Sequence, residues 1–160
     1  MPGDIPPSAN GAPPGWTPPL PRAGLLRRLA ALIYDSLLIL ALMMMGTAVL
    51  LAFTHGQAIT PDTAIYPAYL AFLLGIIAFF YVGFWTHGGQ TLGMKAWRLQ
   101  VRTSAGGPLN VRLSLVRLVG AILSWLPLGL GILWMLIDDN RTWHDRLSGT
   151  EIVVLPRSKS

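Results

Sequence analysis

RRLAALIYDSLLILALMMMGTAVLLAF, residues 27–53, decides the architecture. Its apolar run, 29–53, makes a helix longer than the roughly 30 Å hydrocarbon layer at about 1.5 Å of rise per residue, so it spans with tilt. Inside that run sits an acid, Asp35, roughly 10 Å deeper along the helix than Arg28. A carboxylate at such depth needs a partner, a proton or water. The stretch therefore reads as a membrane helix carrying a polar feature it has reason to keep.

The rest of the composition agrees. With 52% hydrophobic and 12% charged residues among 160, the chain falls well below the about 25% charged residues of soluble domains. Its net charge of +5 comes from basic residues beside apolar spans. That placement suits anionic lipid headgroups and argues against nucleic acid as a partner. No cysteine is present, which excludes disulfides, thiolate metal sites and cysteine nucleophiles.

Residues 1–21, MPGDIPPSANGAPPGWTPPLP, hold eight prolines and read as a disordered Pro-rich tail, either a linker or a docking peptide. They lack the basic start and apolar core of a secretory signal. The membrane domain then occupies 22–155, and 156–160 form a second tail. Within the domain, HGQAITPDT breaks the first span, and a second covers about 65–85. Tyr66, Tyr69, Tyr81 and Trp85 stand near the ends of that span, where interfacial aromatic anchors are expected.

Arg22, Arg27 and Arg28 precede span one, and Lys95, Arg98, Arg102 and Arg112 follow span two, while the intervening loop has no Lys or Arg. By the positive-inside rule the amino terminus is cytoplasmic and the loop faces outward. A third apolar stretch, 113–137, contains Arg117 and the breakers Pro127, Gly129 and Gly131. Two arrangements fit it, a kinked third span or a re-entrant hairpin of two short helices. LQVRT (99–103) and TEIVVL (150–155) read as strands, and their pairing as a small cytoplasmic β element favours the hairpin. The fold class is thus an all-α membrane protein with two full transmembrane helices and a broken third segment.

Arg28 and Asp35 are seven positions apart, so they share a helical stripe. About 10 Å of axial separation keeps them from a tight mutual ion pair, and each requires another partner. Asp35 either takes hydrogen bonds from an arginine or hydroxyl on a neighbouring helix, locking the bundle, or exchanges a proton or cation. In DDNRTWHDRLSGT (138–150), His144 and Asp145 are neighbours and point about 100° apart on a helix, which makes a poor metal pair. Asp145 instead reads as a cap or salt link, with Arg141 and Arg146 on lipid phosphates. GGQTLGMKAW (88–97), with Gln90 and Thr91, reads as a tight exit allowing close approach of another backbone. His55 and His87 lack ligand spacing, and no metal or cofactor motif is present.

In order and spacing, these pieces resemble the RDD family of small, mostly bacterial membrane proteins. The resemblance rests on RRLAALIYD, GGQTLGMKAWRLQV and WHDRLSGTEIVV, and carries the family's arginine and two aspartates onto Arg28, Asp35 and Asp145. It implies a multi-helix domain of the bacterial cytoplasmic membrane, with ligand or ion transport suggested and cation/proton exchange among the activities proposed. The leading expectation is assisted transport of a small solute or cation. Asp35 is the exchanging group, tuned by Arg28 or Arg117, with Gln90 and Arg146 in support. Two spans cannot enclose a path, so a homo-oligomer or a partner membrane protein is expected. The rival expectation is a non-catalytic scaffold that binds a membrane protein or anionic lipid. No nucleophile and base are arranged for an enzyme.

Overall fold

The computed structural model describes residues 20–125 and 142–156. Helix α1 covers Leu25–Phe53 and α2 covers Tyr66–Thr86. Both are long and apolar enough to cross a membrane. α1 stops at Thr54, after which His55 and Gly56 adopt positive φ values of 55° and 80°, incompatible with further right-handed helix. α2 opens with a proline in its first turn, where a missing N–H leaves no bond unmade.

The two helices meet through a small residue and a polar pair. A Cβ added at Gly46 would come within 3.0 Å of the Phe72 and Ile76 side chains, so the glycine admits both. At the next residue, the Thr47 and Tyr69 hydroxyls lie 3.0 Å apart. Most of the remaining surface stays apolar and exposed, including Leu37, Met44, Leu74 and Phe79. Such an area suits lipid far better than water.

Polar structure gathers at one end. After α2 come α3 (Leu92–Ala96), strand β1 (Leu99–Thr103), α4 (Val111–Trp125), α5 (Trp143–Leu147) and strand β2 (Thr150–Val154). β1 and β2 pair antiparallel from Leu99 opposite Val154 to Thr103 opposite Thr150, as the strand patterns predict. The chain just before α1 adds a short outer edge, with Ala23 N–H donating to Ile152 O at 2.8 Å and Val154 N–H to Pro21 O at 2.8 Å. Gly89, at φ 69°, lies so close beneath β1 that a Cβ there would collide with the Val101 carbonyl oxygen. Leu99, Val101 and Ile152 from the sheet pack with Ala31, Trp85 and Leu118 from the helices, forming one core.

Ser104 N–H donates to Gly149 O at 2.9 Å, so the segment that begins after β1 returns to its own starting point. α4 forms the first half of the expected third apolar stretch. Pro127, Gly129 and Gly131, on which the choice between kinked span and hairpin turns, lie outside the described residues, as do the tail 1–19 and 157–160. One expectation is corrected here: Trp85 is not an interfacial anchor. It is 7% exposed and packed in the core because Arg117 of α4 stacks over its ring.

Candidate functional site

On α1 the stripe Ala31, Asp35, Ile39 is the buried face, four residues per step, and it brings the acid inward. Asp35 is 3% exposed. Facing it is α3, whose cap Thr91 donates from its hydroxyl to Asp35 Oδ2 at 2.6 Å and accepts the Met94 N–H at 3.1 Å. The Gly93 N–H donates to Asp35 Oδ1 at 2.9 Å. A helix start carries N–H groups without intrahelical partners, and Asp35 satisfies one of them from another helix. The close approach requires glycine, since a Cβ at 93 would meet the Ala31 carbonyl oxygen and the Asp35 carboxylate.

Asp145 occupies a second, differently built junction. Its own backbone N–H points to Thr142 Oγ1 at 3.4 Å while Oδ2 accepts the Thr142 N–H at 3.2 Å, a reciprocal arrangement like a capping box at the start of α5. The same carboxylate takes Arg28 Nη1 and Arg117 Nη1, each at 2.6 Å, from α1 and α4. Arg117 also donates to the Thr150 hydroxyl, and Arg28 Nε to the Ala23 carbonyl at 3.0 Å. Two arginines on one buried carboxylate, with hydroxyls and a carbonyl taking further donors, is the geometry in which charges tolerate removal from water. Arg27, next to Arg28, is exposed.

Between these junctions α1, α2 and α4 line, with the sheet beneath, a half-open cavity of about 250 Å³. Arg28, Asp35 and Arg117 are on its wall, with Tyr81, Trp85 and mainly apolar side chains. The structure therefore joins Arg28, Arg117 and Asp145 in one ion cluster and sets Asp35 beside it on the same cavity. Neither Arg28 nor Arg117 pairs directly with Asp35; both make ion pairs to Asp145.

Gln90 and Arg146 do not line the cavity. Gln90 Nε2 donates to Leu99 O at 2.7 Å and fastens the exit loop to β1, while Arg146 sits on the exposed side of α5. Sequence reasoning missed the tie from Asp35 to Gly93, the acceptor role of Thr150, and Trp85 as the bed of Arg117. It also missed Glu151, which pairs with Arg22 at 3.3 Å and Arg102 at 2.8 Å. Thr-Trp-His-Asp, a hydroxyl three residues before an acid, was the available signal for the Thr142 cap. Among the described residues no three His, Cys, Asp or Glu side chains cluster as metal ligands.

The model of the RDD family matches residues 22–149, most of the chain and both junctions apart from Thr150. The chain belongs to the RDD family. It is accordingly an RDD membrane protein with two candidate spans. The RDD match includes Arg28, Asp35 and Asp145, the positions to which the sequence resemblance assigned the family's three named residues. No curated protein and no solved structure matches the chain.

Proposed function

We propose that this RDD protein assists the movement of a small solute across the bacterial cytoplasmic membrane, coupled to a proton or cation that Asp35 takes up and releases. One observation carries the reading: of the two buried aspartates among the described residues, Asp145 is neutralised by two arginines, whereas the hydrogen-bond partners of Asp35 are a hydroxyl and an amide. An ionised acid held only by neutral groups within an apolar helix keeps an unmet demand for positive charge. Its place on the cavity wall puts that demand beside the solute's seat.

The basic residues around the sheet support a cytoplasmic placement for that end and an outward loop between α1 and α2. The return of the chain from Ser104 to Gly149 supports a re-entrant hairpin over a third full crossing. Two spans do not enclose a path, so the transporting unit is a homo-oligomer or includes a partner membrane protein. Asp35→Asn tests the mechanism in proteoliposomes loaded with a panel of monovalent cations and a pH dye. Asparagine retains an oxygen for the Gly93 N–H, so the fold is expected to survive while flux falls to the empty-liposome background. Undiminished flux would remove Asp35 from the mechanism. Loss of thermal stability with flux intact per folded molecule would favour the scaffold reading, in which Asp35 only locks α3 to α1.

A further inference from the structure

A second hollow runs along the face of α2 turned away from the cavity, where Gly75, Phe79 and Gly83 recur at four-residue spacing. It is an open groove of about 1010 Å³ between α1 and α2. The α2 residues on it extend from Phe72 to His87, about 22 Å of helix at about 1.5 Å per residue. Half of the hydrocarbon layer is about 15 Å deep, so the groove is long enough for an acyl chain of one leaflet. Its room comes from glycine. A Cβ built at Gly75 or Gly83 would meet nothing within 4 Å, whereas the far end is closed at Gly46, where Phe72 and Ile76 already fill the space. Glycine inside a helix costs stability against alanine, and among the described residues no atom uses the room these two leave.

The ends of the groove differ in chemistry. Most of its wall is aliphatic and aromatic, but next to the sheet it finishes on His87 and Lys95. His87 Nδ1 lies 2.9 Å from the Gly83 carbonyl oxygen, which fixes the ring there. Lys95 of α3 is exposed, and its ammonium has neither an ion pair nor a hydrogen bond among the described residues. No aspartate or glutamate among the described residues lines the groove to match it. Trp97, two residues on, is also exposed, as suits a ring at headgroup depth, and this puts Lys95 at the level of lipid phosphates. A long apolar trough that ends on a cation at the membrane surface is complementary to an anion that carries a chain. Small solutes lack the length, and a zwitterionic lipid brings its own cation to the headgroup.

We infer that the α1–α2 groove seats one anionic glycerophospholipid, with an acyl chain over Gly75 and Gly83 and the phosphate on Lys95. This is a discrete seat for a single molecule, distinct from diffuse attraction between a basic membrane face and its headgroups. It lies on the opposite side of α2 from Ile77, Tyr81 and Trp85, which line the cavity, so neither site needs the other filled.

Native mass spectrometry of the full-length protein, released into mild detergent from bilayers of equal phosphatidylglycerol and phosphatidylcholine, tests the seat. One phosphatidylglycerol retained per chain is expected, with phosphatidylcholine lost at lower collision energy. Lys95→Gln is expected to lower phosphatidylglycerol retention about fivefold and to remove the preference, as befits one basic group at the membrane surface. Arg112→Gln removes another exposed charge that does not line the groove, and should leave retention unchanged. Gly75→Leu fills the trough without touching the charge and is expected to release the lipid. Thermal unfolding in the same detergent shows which variants are folded, and the wild-type choice between the two lipids decides the matter even where a variant is not. Equal retention of both lipids, equal losses in Lys95→Gln and Arg112→Gln, or full retention in folded Gly75→Leu would each overturn the inference. So would a lipid-free dimer that Gly75→Leu separates, which would give the groove to a second copy of the chain.

Discussion

Asp145 holds two guanidiniums and a backbone N–H, and its side chain is fully buried. Neutralising it strands both arginines, so Asp145→Asn is expected to destabilise the protein by about 3–5 kcal/mol, the range for breaking a buried ion pair on one side. Chemical denaturation in micelles measures the loss. Replacing all three charges with apolar residues of similar volume, Arg28→Met, Arg117→Met and Asp145→Leu together, is expected to recover most of it, because the desolvation penalty disappears with the charges. Failure to recover would mean that the cluster contributes more than mutual neutralisation. The roles at this scale were half legible. Seven-residue spacing told that Arg28 and Asp35 share a face yet need separate partners, and the structure supplies them. It did not tell which partners, since Arg28 and Asp145 are 117 residues apart and no local pattern links them.

At the scale of elements, α3 is only five residues long and is held in place by its contact with α1. Gly93 makes that contact, whereas a Cβ added at Gly75 of α2 would meet nothing within 4 Å. Gly93→Ala is therefore expected to lose about 1–3 kcal/mol through overpacking against Ala31 and to disturb Asp35. Gly75→Ala should be neutral or gain up to about 1 kcal/mol from helix propensity. Thermal shifts of the two variants side by side check the contrast, and equal shifts would contradict the close approach. The glycine-rich exit was readable as a place for close packing, because only glycine lacks the carbon that would collide. Its target was not readable, since the bonded atoms lie 58 residues apart. Aromatic position misled for the related reason that Trp85 sits near a helix end, which mimics an interface anchor, while its burial depends on α4.

For the whole molecule, the absence of cysteine turns topology into a direct measurement, because a single introduced thiol has no background. Cysteine at Gln57, in the loop after α1, is expected to react with an impermeant maleimide added outside intact cells. Cysteine at Ser104 or Leu155 should react only after permeabilisation. Reversed labelling would invert the orientation, and Leu155 labelled from outside with Ser104 protected would replace the hairpin with a full third crossing. The two long spans and the strand pair were legible because their signals are local, apolar length for one and alternating β-branched residues for the other. The path of the breaker segment was not, as its single proline and its glycines permit more than one. One arrangement at this scale also bears on how the protein is made. α1 leaves the ribosome first, yet the carboxylate that Arg28 holds is translated 117 residues later, and the strand that clasps the stretch before α1 later still. At synthesis rates of about 5–20 residues per second, the nascent helix waits on the order of ten seconds with its arginine unmatched. A product truncated before Asp145 never makes the match, so the joining of α1 to the polar end of the molecule is left to the last residues translated.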